Sequence, residues 1–266
     1  MRLLNTETGH FEEFVSADVI KYAILSHTWD AKGEQTYQEV REIQKRYDRD
    51  GRRSHSSESM SPGDTSSLLD DPDLSDKIRN TCAIARAHGF RYIWIDSCCI
   101  DKTSSSELSE AINSMFTWYR KATICYAFLA DVPEDDFQER LPQSRWFTRG
   151  WTLQELIAPR HLVFLTSEWK TIGTKATLAF EVERITGIDY LVLLDRQSLD
   201  DVGVARRMSW ASKRQTTRVE DEAYSLLGIF NIKMPTVYGE GLGAFRRLQE
   251  EIMRRIPDQK IGRAHV

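Results

Sequence analysis

Four short apolar runs punctuate this chain: Tyr22-Ala23-Ile24-Leu25-Ser26, Tyr92-Ile93-Trp94-Ile95, Ile124-Cys125-Tyr126-Ala127-Phe128-Leu129 and His161-Leu162-Val163-Phe164-Leu165. Apolar residues at successive positions over strand-like lengths predict strands covered on both faces. Between the runs the period lengthens to that of helices. Tyr37, Val40 and Ile43 mark one helix over 36–47, and Leu74, Ile78, Cys82 and Ala85 a second, with Gly89 where a C-terminal cap belongs. Ser104-x-x-Glu107 has the form of a capping box, opening a helix that carries Leu108, Ile112, Met115, Phe116 and Tyr119 on one face. Strand–helix alternation predicts an α/β fold with a parallel sheet flanked by helices, and ligand sites are expected at the C-terminal ends of its strands.

From about Thr174 the pattern is helical only. Leu178, Val182 and Ile185 are closed by Gly187; Val204, Met208 and Ala211 follow, then Val219, Ala223, Leu226 and Leu227, then Phe245, Leu248, Gln249 and Ile252. The expected division is an α/β core over 1–173, a helical C-terminal part over 174–256 and a tail over 257–266. Residues 49–67, rich in Ser, Gly, Asp and Arg without periodicity, read as a mobile polar insertion. Ile261-Gly262-Arg263-Ala264-His265-Val266 reads like a translated sequencing adapter, so the tail is set aside from fold reasoning.

Composition narrows the classes. With 266 residues, 41% hydrophobic and 29% charged, the chain is an ordinary globular protein with enough mass for a sizeable core. A net charge of −4 gives no electrostatic case for nucleic acid. Cys82, Cys98, Cys99 and Cys125 are too few for a disulfide scaffold, and no spacing suggests a metal site. The start lacks the apolar stretch of a secretory leader, and no apolar run reaches the ~18 residues of a membrane span. The expected location is cytoplasmic.

Candidate chemistry gathers at strand ends and in Ser144–Pro159, which packs two tryptophans, two arginines and a carboxylate together. On a helical wheel Leu153, Leu156 and Ile157 form one apolar stripe, leaving Trp151 and Glu155, four apart, on the opposite side. That side suits a pocket; equally, Thr152-x-x-Glu155 fits a capping box with no further role. Ser26 and His27 follow the first strand, and Asp96, Ser97 and Cys98 the second. Asp96 can orient a polar group, bind ribose or cap a turn. Cys98 with His27 can form a nucleophile and base, though buried cysteine is usually an inert small hydrophobe. Arg145 and Arg149 can clamp phosphate or pair with the acidic 133–139 loop.

Five blocks then fall in a familiar order: Tyr22–Trp29, Trp94–Lys102, Arg149–Leu156, Arg218–Gly228 and Tyr238–Gly241. Together they resemble the fungal heterokaryon-incompatibility (HET) domain family, over about 22–255. The resemblance implies a role in fungal nonself recognition and immunity, with programmed cell death as the outcome and protein partners or self-association in signalling. That family is similar in turn to Toll/interleukin-1-receptor (TIR) domains, which implies a flavodoxin-like sheet and, by the Trp-x-x-x-Glu pattern at Trp151 and Glu155, hydrolysis of NAD. Under that resemblance Glu155 is the catalytic carboxylate, and Ser26, His27, Asp96, Cys98, Arg149 and Trp151 line the substrate site. No resident cofactor or metal is implied, NAD entering only as substrate. The alternative is a non-enzymatic module that acts by protein–protein assembly.

Overall fold

A computed structural model of the chain describes residues 1–54 and 67–256. Two compact units are present: Met1–Leu25 with Trp29–Leu108, and Ser26–Thr28 with the chain from Ser109 on. One unit boundary falls inside the strand Ala23–His27, one in the loop after it, and one inside the helix Ser105–Lys121.

In the first unit β1 (Arg2–Asn5), β2 (Phe11–Glu13), β3 (Ala23–His27) and β4 (Tyr92–Trp94) run in the order β2-β1-β4-β3. β3 and β4 are parallel, pairing Ala23 with Ile93 and Ile24 with Trp94, and these apolar residues are fully enclosed. β1 is antiparallel to both its neighbours. The first two strands escape the sequence pattern because they are short and half polar. Arg2, for instance, leaves the apolar layer to bond Glu107 and Glu13.

Helix α1 (Tyr37–Ser54) buries Val40 and Ile43 and continues past the expected end, into the stretch read as an irregular insertion. The rest of that insertion lies outside the described residues, as does the tail from 257. Helix α2 (Asp76–Ala87) starts at a Ser75 cap whose Oγ accepts from the Ile78 amide. It stops at Gly89, whose φ of 79° is the left-handed value that glycine adopts freely. The single-turn α3 (Asp96–Cys99) follows β4. The capping box before α4 (Ser105–Lys121) forms only in half: Ser104 Oγ accepts from the Glu107 amide, while the Glu107 carboxylate turns to the Asp101 amide and Arg2.

In the second unit β5 (Ile124–Phe128) and β6 (Leu162–Leu165) are parallel, and β7 (Thr171–Thr174) adds antiparallel to β6. The strands are therefore mixed in direction, where alternation had led to an all-parallel expectation. β7 carries too few apolar residues to register as a buried strand. Helices α5 (Phe137–Arg140) and α6 (Thr152–Ile157) lie between β5 and β6.

After β7 the described residues form helices and turns: α7 (Ala179–Thr186), α8 (Tyr190–Leu193), α9 (Val204–Ala211), α10 (Asp221–Tyr224) and α11 (Gly243–Arg255). α9 buries Arg207 and Trp210, not the Val204/Met208/Ala211 face that spacing suggested. Asn113 on α4 exchanges two 3.1 Å hydrogen bonds with the Met234 backbone. Gly228 lies so close to the Phe116 ring that any Cβ would collide with it. Among the described residues no helix is long and apolar enough to cross a membrane.

Candidate functional site

Helix α6 is short, and all six of its residues are buried. An amphipathic wheel assumes one neighbour; this helix is enclosed on every side. Glu155 is therefore not on an outward face: it is 5% exposed. The capping box predicted around it is absent, since the Thr152 hydroxyl donates backwards to the Trp146 carbonyl and caps nothing with Glu155. At the other end of the helix the Lys175 ammonium, itself buried, donates to the carbonyls of Leu156, Ile157 and Pro159. A cation there satisfies carbonyls left over at a helix C-terminus and complements its dipole. Burial pulls the Lys175 pKa down to about 8.

Glu155 is held by the end of β3. Ser26 Oγ donates to Glu155 Oε2 at 2.5 Å, and the Trp146 indole N–H donates to that same Oγ at 2.9 Å. The indole thereby fixes the direction of the serine proton, which points at the carboxylate. Trp146 is itself locked edge-on against Phe147 and Phe164. A carboxylate in such surroundings is costly unless something favours its charge. Arg214 supplies a positive field. Burial pulls its guanidinium pKa down to about 9 while the Glu155 charge opposes the shift, and arginine stays cationic at neutral pH. Close by, burial and then Glu155 push the Cys125 thiol well above its usual value.

Arg214 also ties the segment leading into α6 to the end of α9. Its Nε donates to the Trp210 carbonyl, and Nη1 donates to the Arg149 carbonyl and Thr152 Oγ1 at 2.9 Å each. Backbone bonds between Gly150 and Gln215, and between Gln215 and Thr148, complete the junction. Nη2, buried, has no acceptor, an arrangement that costs about 1–3 kcal/mol when nothing fills it. Beside this junction opens a cavity of about 350 Å³, lined by Gly150, Arg214, Ser225, Met208, Leu226 and Phe245 among others. Gly150 is required here, because a Cβ would strike Thr216 Cγ2.

The remaining candidates separate. Trp151 is half-buried and its indole hydrogen-bonds Asp221, whose carboxyl is shifted upward by burial against the lowering effect of Tyr238 and Trp151. Arg149 is half-buried and donates to Thr217 Oγ1. His27 is buried beside Ser26 in sequence. Asp96 and Cys98 belong to the first unit. There Asp96 accepts from the Trp29 indole at 2.9 Å while the Lys102 ammonium sits 4.0 Å over the Trp29 ring. Cys98 is fully buried, and its hydrogen bond with Cys99 together with burial pushes its thiol well above the usual value. A thiol so placed is poorly suited to act as a nucleophile.

Two of the sequence blocks interlock. The Glu220 carboxylate accepts from the Gly239 and Gly241 amides, Tyr238 donates to Asp221, and Tyr224 donates to Glu240. Their acids thus clasp a turn. Sequence reasoning missed Trp146 as a partner of Ser26, and it missed Arg214 altogether. Lys213-Arg214-Gln215 is a polar stretch without periodicity, so only contact reveals its role. Among the described residues no cluster of acids, histidines and cysteines is arranged to hold a metal.

Comparison with known proteins gives family matches over parts of the chain. Residues 22–137 match the model described as heterokaryon incompatibility protein (HET), and residues 243–262 match a domain of unknown function, DUF8212. Over 266 residues the chain is 40% identical to vegetative incompatibility protein HET-E-1 of Podospora anserina, an alignment covering 95% of this chain and 18% of that protein. The chain thus spans under a fifth of the relative's length. No solved structure matches it. The HET match contains Ser26, His27, Asp96 and Cys98, whereas Arg149, Trp151 and Glu155 lie beyond it.

Proposed function

We propose that this chain is a HET-domain module of fungal nonself recognition, one that triggers programmed cell death in vegetative incompatibility by cleaving NAD. The family match and the similarity to a vegetative incompatibility protein support the biological role. One observation carries the chemical part: a carboxylate 5% exposed, oriented by a 2.5 Å bond from Ser26 and lying in the field of Arg214. Buried carboxylates held by a specific hydrogen-bond donor and a nearby cation are found at functional sites.

In the reaction, the bond between nicotinamide and ribose C1′ breaks and its electron pair leaves with the ring nitrogen, giving neutral nicotinamide. The positive charge that develops on the ribosyl carbon is stabilised by Glu155. Water then adds its oxygen to C1′ and yields its proton to the carboxylate, giving ADP-ribose. No acid is required for the leaving group. Trp151 and Arg149 flank the carboxylate's helix and serve to stack and to hold phosphate; Ser26 and His27, in the same unit, complete the substrate site.

The test is nicotinamide release from NAD by purified protein beside Glu155→Gln. Release by the wild type alone is expected, and equal traces would sink the assignment. A second reading, a non-enzymatic assembly module, is favoured by the enclosure of Glu155 and by its absence from the residues that line the cavity. In that reading the carboxylate is a strut between β3 and α6.

A further inference from the structure

The sequence pairs Trp151 with Glu155, four residues along, but the indole turns to a different carboxylate, Asp221. Contacts around Asp221 close a circuit within the second unit. Tyr238 Oη donates to Asp221 Oδ1 at 2.9 Å, and the Arg218 guanidinium lies 4.0 Å or more away over the same ring, at 4.4 Å from its centroid. Thr217, the neighbour of Arg218, accepts at Oγ1 from Arg149 Nη1 at 3.0 Å. Arg149 stands two positions before Trp151, whose indole leads back to Asp221. Stretches far apart in the chain thus bring both guanidinium groups and both aromatic rings around one carboxylate.

The groups of this circuit have capacity to spare. Arg218 is exposed, and its guanidinium makes no hydrogen bond or ion pair among the described residues. Arg149 is half-buried and uses one N–H on Thr217, leaving its others unused. Asp221 is 8% exposed; an ionised carboxylate has about four acceptor sites, and Tyr238 and Trp151 take only part of that capacity. Burial raises its pKa, while those two donors and then the charges of Arg218 and Arg149 oppose the rise. Both arginines are therefore near enough to act on it. Tyr238 is also held edge-on by Tyr224, with ring centroids 5.5 Å apart at 87°, so this wall is ordered before any ligand arrives.

We propose that Asp221 and Arg218 extend the NAD site beyond Glu155: the Asp221 carboxylate accepts from ribose hydroxyls, and Arg218 joins Arg149 on the pyrophosphate. The inference rests on the NAD reading for its ligand and assigns residues which that reading leaves out. Ribose presents hydroxyl donors of the kind that a carboxylate recognises in dinucleotide sites. A pyrophosphate carries more negative charge than Arg149 balances alone, and planar guanidinium groups suit phosphate oxygens. Trp151 connects the two carboxylates, since its indole bonds Asp221 and its carbonyl accepts from the Glu155 amide. Of the neighbouring acids, Glu220 is turned to the Gly239 and Gly241 amides, and Glu222 lines the cavity beside Arg214.

Calorimetric titration of the whole chain with ADP-ribose, which has no nicotinamide to lose, reads binding apart from cleavage. Nicotinamide release gives the KM for NAD. Arg218→Gln is the deciding variant, because the Arg218 side chain holds no hydrogen bond in the fold. It should weaken ADP-ribose and raise the KM about tenfold or more, with an unchanged thermal midpoint. Asp221→Asn should weaken ADP-ribose by a similar factor, whereas Arg206→Gln, at an exposed arginine on α9, should change neither quantity. Binding that follows this pattern without nicotinamide release by the wild type would remove the cleavage reading and leave the site standing. Release by the wild type, with KM and ADP-ribose affinity unchanged in Arg218→Gln, would overturn the site and leave cleavage standing. Absence of saturable ADP-ribose binding in the wild type, or equal weakening by Arg206→Gln, overturns the site as well.

Discussion

At the scale of single residues, the Ser26 hydroxyl joins an indole donor to a carboxylate acceptor. Ser26→Ala removes both bonds and leaves two buried polar groups without that partner. The expected loss is about 1–3 kcal/mol of stability, read as a lower urea midpoint with the slope unchanged. An unmoved midpoint would mean that Glu155 and Trp146 are satisfied elsewhere. The sequence offered Ser26 and Glu155 as separate candidates, one at a strand end and one on a helix. Nothing in their spacing of 129 positions could pair them.

The element that matters most is α6, and the sequence misread its orientation. Leu153, Leu156 and Ile157 do face a core, but so do Gln154 and Glu155. Hydropathy separates one apolar stripe from the rest; it cannot tell a solvated polar face from one enclosed by other polar groups. Lys175 shows the same limit, a cation in a polar stretch that turns out to be buried at the C-terminal end of α6. Its titration gives a signed prediction. The unfolded chain keeps this proton up to the ordinary value of 10.5, whereas the folded chain releases it near 8. Between those values the unfolded state binds more protons, so stability rises with pH. This contribution is complete above 10.5 and is lost as pH falls through 8. Denaturant titrations of wild type and Lys175→Met at pH 7 and pH 10 should show the wild type gaining on the variant at the higher pH; a constant difference would contradict the shift.

At the scale of the molecule, the four apolar runs became β3, β4, β5 and β6, while β1, β2 and β7 went unseen. Central strands announce themselves because both faces are covered and every position must be apolar. Flanking strands are short and carry residues such as Arg2, Glu13 and Thr171 that alternate with or interrupt the pattern. The relative's much greater length makes sufficiency of this portion a question in itself. Expressed in a fungal host, the chain is expected to stop colony growth and deplete NAD together. Glu155→Gln at equal soluble level should lose both effects. Growth arrest that persists in the variant with NAD intact would favour the assembly reading.

What the sequence determined by itself is what local pattern encodes: the buried strands, the stops at Gly89 and Gly187, and the ordered blocks that resemble those of the HET family. Tertiary structure alone decided that Glu155 turns inward to Ser26, that Arg214 holds the approach to α6 beside a cavity, and that Glu220 and Asp221 clasp the Tyr238–Gly241 turn. The division has a physical origin. Periodicity reports what a residue's own element does to it, whereas the energy of a buried charge or hydroxyl depends on partners brought close from distant parts of the chain.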